Sequence, residues 1–499
     1  MAALAGCAIE TGDESVAQTE EVESSEDALL GQRLRARAKN VILFVGDGMG
    51  VSTVSATRVF SVGVEGALVM DQLPNSALSR TADADHITPD SASTMTAMMS
   101  GEQTNSGVIG LAPSTEFGDF NGDGDGPRVT TLLEQAKQRG MRAGVISTAR
   151  VTHATPAACY AHINNRDNEN AIALQALPGD ATYNVALAGG LDLILGGGRQ
   201  FFVPSSVTDE EGGSGSRTDG RDLRTEFQAK GYSYIWNSAQ FAGVTKKSLP
   251  LLGLFERSHM EYEHDRPTDT GGEPSLSELT GKSIEILADA TRKERRGYFL
   301  MVESGRIDHA HHAGNAWRAL TDAEELDRAI GVALSKVDLR ETLILVTADH
   351  SHVFTMAGYP LRAAGDLAYP VVSAPTEYLT SPHNNLFDVV YDVDNAGNVM
   401  KSGDRNGAPY TILGYQNGPG YRGAPRVDPA LDPFPGLSRR PGAGPNESEY
   451  LQEAAVPLGS ETHAGEDVAL YAVGPRSELV RGTVRNSHVY KVMKTALGF

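Results

Sequence analysis

Cysteine is nearly missing from this chain: 499 residues include only Cys7 and Cys159. Two cysteines cannot build a disulfide scaffold, so the fold has to rest on an apolar core. No run of about 18 apolar residues occurs anywhere, which excludes a membrane-spanning helix. Basic residues are also scarce. Lys and Arg total 43 against 64 Asp and Glu, a formal charge of −21. Such a surface repels nucleic acid and anionic membrane, so neither is expected as a partner. It also repels phosphate esters at long range, so an anionic substrate would need local positive charge from metal ions or Arg. An acidic excess of this kind suits a saline habitat and equally an ordinary acidic enzyme.

The chain does have enough apolar residues, 40%, for a globular fold, and its 54 glycines and 24 prolines mark many or long loops. Cys159 sits in an apolar stretch and reads as a buried small hydrophobe. Cys7 closes M-A-A-L-A-G-C, whose last four residues resemble the cleavage box of bacterial lipoproteins. That match makes Cys7 a candidate lipid anchor, although the apolar run of a signal peptide is missing and a chance match in a tail remains the alternative.

Residues 1–39 form an acid-rich lead without apolar periodicity, expected to be flexible. One large domain is expected over 40–499. Short continuous apolar runs recur at Val41–Val45, Ala143–Ile146, Leu191–Leu195, Tyr298–Val302, Thr342–Val346 and Val468–Val473. Each reads as a strand buried on both faces, as in a parallel sheet. Amphipathic stretches at Val129–Arg139, Ser277–Ala290 and Ala316–Val337 alternate with them as helices. The pattern predicts an α/β three-layer sandwich: a large, mostly parallel central sheet with helices on both faces. A Gly-, Pro- and Asn-rich stretch at 373–459 is too long for a simple connection and reads as an insertion.

Ligands of such sheets bind beyond the carboxyl ends of the strands, and the chemistry-bearing residues lie there. Asp47 follows the first run between Gly46 and Gly48. Glu303–His312 reads E-S-G-R-I-D-H-A-H-H. Asp308 and His312, four apart, share a helical face and can grip one ion. Asp349 and His350 follow the Thr342 run, and His463 lies in E-T-H-A-G-E-D. Mixed nitrogen and oxygen donors suit zinc; carboxylates with a hydroxyl suit magnesium. Ser91, in T-P-D-S-A-S-T, precedes a helix-forming run. Asp90 or Ser91 can simply cap that helix, or Ser91 can meet an anion at its N-terminus. Arg166 is a natural fork for two phosphate oxygens, although most arginines are only solvated.

Taken together, V-G-D-G-M-G, D-S-A-S-T, H-A-T-P-A with the later Arg166, E-S-G-R-I-D-H-A-H-H, T-A-D-H and E-T-H-A-G-E-D resemble, in order, the alkaline phosphatase family from about Asn40 to the end. The resemblance implies hydrolysis of small phosphate monoesters at alkaline pH through a phosphoserine on Ser91. It implies two zinc ions and one magnesium ion. Asp47, Asp349 and His350 would hold the zinc that activates Ser91, and Asp308, His312 and His463 the other. Asp47, Thr155 and Glu303 would hold magnesium, and Arg166 the phosphoryl group.

His153 and His309 match the animal and marine bacterial pattern and imply supporting roles near magnesium and phosphate. Asn417–Tyr421, N-G-P-G-Y, resembles the animal branch, whose insertion forms a crown at a dimer interface; a homodimer is implied. A calcium site is implied at Phe255, Glu256 and Glu273. The family also implies export, to the periplasm or the extracellular space.

Two rivals remain open. A sulfatase or diesterase of the same superfamily would want another nucleophile context. A metal- or phosphate-binding protein without turnover would not need Ser91.

Overall fold

The computed structural model describes residues 37–118, 126–363, 366–367, 371–380, 383–403, 409–421 and 447–499. Cys7, most of the acidic lead and part of the 373–459 stretch lie outside them. Ten strands form the central sheet: β1 (Asn40–Gly46), β2 (Asn75–Arg80), β3 (Arg142–Arg150), β4 (Leu193–Gly197), β5 (Ser233–Ile235), β6 (Leu251–Leu254), β7 (Tyr298–Ser304), β8 (Thr342–Ala348), β9 (Val468–Val473) and β10 (Thr483–Arg485). Their spatial order is β10-β2-β9-β8-β1-β7-β3-β4-β6-β5. β1 is central and pairs in parallel with both β7 and β8, Val41 lying opposite Phe299 and Leu343.

Every residue of β1 is buried, but its side chains still alternate between two cores. Val41, Leu43 and Val45 pack in one layer with Met95, Leu132 and Val489. Ile42 and Phe44 pack in the other with Val54, Leu287 and Leu326. Those partners come from helices on opposite faces. On the first face are α2 (Ser91–Ser100), α3 (Leu132–Gln138) and α8 (His488–Leu497). On the second are α1 (Val51–Val62), α5 (Leu276–Thr291) and α7 (Ala316–Lys336). Two short helices complete the site, α4 (Ala154–Ala157) and α6 (Arg306–His312). The expected three-layer sandwich is present.

Three expectations need adjustment. β9 was expected to run parallel and be buried on both faces; it is antiparallel to both β8 and β2. Its Ala469, Tyr471 and Val473 are only half-buried while Val468, Leu470 and Ala472 are buried, the one-sided pattern that antiparallel strands tolerate. The helix expected from Val129 starts at Leu132, because Thr131 and Glu134 form a capping box that sets its first turn. The described residues ahead of Asn40 are already held, since the Ala38 amide donates to the Ala496 carbonyl.

The 373–459 stretch is not one irregular loop. Among its described residues are the hairpin strands Tyr391–Val393 and Val399–Lys401. Leu413–Gly418 and Glu453–Pro457 form a second small sheet with Phe354–Met356, which lies ahead of the expected boundary. Phe354, Phe387, Ile412 and Tyr415 pack on Phe60 of α1 and Leu320 of α7, so this subdomain shares a core with the main body.

All residues of α2 are buried, and Gly101 ends it in the left-handed region at φ 83°. A Cβ there would lie 2.6 Å from the Tyr490 ring of α8. Gly101→Ala is therefore expected to destabilise the fold by about 1–3 kcal/mol, read as a lower urea midpoint at unchanged slope.

Candidate active site

Four adjacent strands deliver the site. β8, β1, β7 and β3 are neighbours; Asp349 follows β8, Asp47 follows β1, Glu303 lies at the end of β7, and Thr155 and His153 follow β3. Gly48, at φ 69°, allows the turn after Asp47, and a Cβ there would sit 2.3 Å from His352 Nε2. The flanking glycine is therefore a close-approach requirement.

The Ser91 ambiguity resolves through Asp90. Asp90 is the N-cap of α2 and its carboxylate accepts from the Ser93 amide at 3.1 Å. Ser91, buried at the first helical position, is free to face inward. Its Oγ lies 3.1 Å from His350 Nε2 and 3.5 Å from Asp47 Oδ1. His350 Nε2 is in turn 3.4 Å from Asp47 Oδ1 and 3.3 Å from Asp349 Oδ2. The Asp349 Oδ1 oxygen is occupied by the Gly48 and His350 amides, which leaves Oδ2 buried with no protein donor.

A second set is more constrained. The His312 Nδ1 hydrogen goes to the Glu461 carbonyl at 2.6 Å, and the His463 Nδ1 hydrogen to the Pro89 carbonyl at 2.9 Å. A ring that donates from Nδ1 and serves as a metal ligand presents a bare Nε2. The two Nε2 atoms face each other at 3.1 Å, and each lies 3.3 Å from Asp308 Oδ1. A tetrahedral ion with ligand bonds of about 2.0 Å has edges of about 3.3 Å. Converging lone pairs at those separations fit a bound cation.

The third set brings Asp47, His153 and Glu303 within 4.8 Å of one another, with His153 Nε2 taken by Arg166. Asp47 Oδ2, Glu303 Oε1 and the Thr155 hydroxyl are all buried without a partner, while Ser147 donates to the other Glu303 oxygen. Burial raises the pKa of all three strand-end carboxylates. Mutual repulsion adds to it: Asp349 and Asp308 act on Asp47, and Glu303 is pushed up to about 8 with Asp349 contributing. Divalent ions at these donors would reverse that shift.

Arg166 donates one guanidinium nitrogen to Asp90 Oδ2 at 2.7 Å and another to His153 Nε2 at 3.0 Å. The Asp90 carboxylate stays below its ordinary range despite burial, because Arg166 and the Ser93 amide stabilise its charge. The capping residue thus also anchors the fork beside Ser91.

Sequence reasoning missed His352 and Glu461 as site residues. His352 Nε2 reaches Asp308 Oδ1 at 2.8 Å and Nδ1 reaches a Glu461 oxygen at 2.5 Å. With a carboxylate at each nitrogen, its pKa rises to about 9 despite burial, and the ring ties Asp308 to Glu461. Its position two residues after His350 in a strand-like segment was the available signal. His311, by contrast, is engaged elsewhere: it bonds Thr53 Oγ1 at 3.0 Å and the Tyr415 hydroxyl at 2.8 Å.

The residues expected at a calcium site divide. Glu256 joins Glu211 and Asp269 in one carboxylate group, with Glu211 also paired to Arg199. Phe255 is core, packed on Phe241, and Glu273 instead accepts from the Glu261 amide at 2.9 Å. Burial with Glu256 and Asp269 nearby pushes Glu273 up to about 9.

A serine hydroxyl among donors shaped for divalent ions, with an arginine fork beside it at the carboxyl ends of a parallel sheet, defines a metal-dependent hydrolase of anionic esters. Residues 38–499 match the family model described as alkaline phosphatase. The chain is 38% identical over 500 residues to the tissue-nonspecific alkaline phosphatase of Gallus gallus, covering 95% of this chain and 87% of that one. It is 36% identical to the alkaline phosphatase of Gadus morhua, covering 92% of each. Among solved structures, the alkaline phosphatase of Thermus thermophilus aligns with a TM-score of 0.64 at 25% identity, over 93% of this chain and 92% of that one. This chain belongs to the alkaline phosphatase family and is a phosphomonoesterase.

Glu461→Gln would leave His352 without its second carboxylate and loosen Asp308. Divalent-metal affinity is expected to fall about 10–100-fold, measured by competition with a chelator; unchanged affinity would remove Glu461 from the supporting layer.

Proposed function

We propose that hydrolysis proceeds through a phosphoserine on Ser91, with two zinc ions and one magnesium ion as the resident metals. The observation that carries this is the position of Ser91 Oγ as one corner of a four-donor set with Asp47, Asp349 and His350. Nitrogen and oxygen donors suit zinc in that set and in the Asp308, His312 and His463 set, and the oxygen-rich Asp47, Thr155 and Glu303 set suits magnesium. When bound, the ions lower the pKa of the serine hydroxyl and of water and neutralise charge on the transferring and leaving oxygens.

The rest is work for the side chains. Ser91 Oγ attacks phosphorus as the bond to the alcohol oxygen breaks, and the alcohol leaves from the opposite side, facing His312 and His463. Arg166, pre-oriented by Asp90 and His153, holds non-bridging phosphoryl oxygens. His153 bonds that fork, and His309 packs against His153. Water then attacks phosphorus from the vacated side, which returns Ser91 and releases inorganic phosphate. The backbone amides at the start of α2 favour the anion throughout.

Three finer readings accompany this one. The oxygen-only group of Glu211, Glu256 and Asp269 suits a calcium ion. The subdomain around Asn417–Tyr421 is the proposed contact of a homodimer. Export, with Cys7 as a candidate lipid anchor, fits the start of the chain.

Ser91→Ala is expected to lower kcat by about 10³-fold or more and abolish labelling by radioactive phosphate, with metal content intact. Wild-type-like turnover in that variant would refute the nucleophile. Comparison of monoester, diester and sulfate ester substrates separates this reading from its superfamily rivals; a preference for either of the latter two would overturn it.

A further inference from the structure

Three imidazoles meet on the Arg166 side of the site, and one of them, His259, has no place in the reaction described above. The His259 and His309 ring centroids are 3.9 Å apart; His153 lies 5.4 Å from His309 and 5.6 Å from His259. Arg150, the last residue of β3, donates to His259 Nε2. Arg150 is itself fixed, because its Nε reaches both Glu169 oxygens at 2.9 Å and its Nη2 reaches one at 2.7 Å. Thr152 holds that same carboxylate at 2.6 Å. The loop carrying His259 is tied to β3 by the Met260 amide, which donates to the Thr148 carbonyl at 3.0 Å.

An arginine has only hydrogens to offer. Nε2 of His259 must therefore be the bare nitrogen, and Nδ1 carries the hydrogen. The same logic fixes His153, whose Nε2 accepts from Arg166 at 3.0 Å. Nδ1 of each of the three rings is buried without a protein partner. A contact chain thus runs Glu169, Arg150, His259, His309, His153, Arg166, Asp90. It begins in a part-buried ion pair and ends at the cap of the helix that carries Ser91.

We propose that His259 is a positioning residue for the phosphate-holding wall: Arg150 fixes the His259 ring, which sets His309 and through it His153 and the Arg166 fork. The inference rests on the assignment of Arg166 to the phosphoryl group. A ring at 259 that only fills space would be replaceable by another ring. A ring that works through Arg150 needs an acceptor where Nε2 stands, which a glutamine amide oxygen can supply and a phenyl group cannot.

The test uses the metal-loaded enzyme and inorganic phosphate as the probe. His259→Phe is expected to weaken phosphate binding about tenfold, measured by calorimetry and as a competitive inhibition constant, while His259→Gln stays near wild type. Nitrogen-15 spectra of the wild-type imidazoles, with the His259 signal identified by its loss in His259→Gln, are expected to show a neutral ring protonated at Nδ1. Full phosphate affinity in the Phe variant, failure of Gln to outperform Phe, or an Nε2-protonated His259 would each overturn the proposal. Should wild-type enzyme bind phosphate but fail to turn over monoesters, the reaction assignment falls while the tautomer and Phe-against-Gln comparisons still decide the role of His259.

Discussion

Metal-ligating atoms crowded together at ligand spacing are the constraint on which this molecule depends. The Nε2 atoms of His312 and His463 face each other at 3.1 Å while each Nδ1 is held by a backbone carbonyl. Nearby, Asp47, Glu303 and Asp349 are buried together. Burying charges of one sign costs several kcal/mol per ion in an effective protein environment, and bound cations would offset it here. The parallel sheet makes the arrangement possible. Neighbouring strands β8, β1 and β7 end at the same level, so one acidic residue at each end places three carboxylates within reach of shared ions.

A second layer keeps these donors from relaxing apart. His352 binds Asp308 and Glu461 at once, while Glu461 also gives its carbonyl to His312. Asp90 serves two ends, capping α2 and anchoring Arg166. The subdomain after β8 takes part as well: Tyr415, on one of its strands, bonds His311 in α6, the helix that also presents Asp308, His309 and His312. Its packing on α1 and α7 therefore bears on the metal side of the site as well as on the surface it covers.

Much of the fold is legible in the sequence because buried parallel strands leave continuous apolar runs, and Val41–Val45, Tyr298–Val302 and Thr342–Val346 all fall inside strands. β2, N-S-A-L-S-R, is missed because near the sheet edge it is half solvated and carries no such run. β9 is misread as parallel because an apolar run does not encode strand direction. Within the site, Asp308 and His312 are recognisable because helical spacing puts them on one face. His352 and His259 are not, since their partners lie 109 residues away in each case, at Glu461 and Arg150.

The sequence by itself determined the layered α/β architecture, the donor types available for metals and the presence of a serine at a helix start. These depend on local periodicity, residue chemistry and short motifs. Only the tertiary structure decided which nitrogen of His153 and of His259 is bare, that Asp90 rather than Ser91 caps α2, and that His352 is a lock on Asp308. Those choices are made by carbonyls, carboxylates and guanidinium groups brought together from distant strands, and hydrogen-bond direction has no expression in a linear chain.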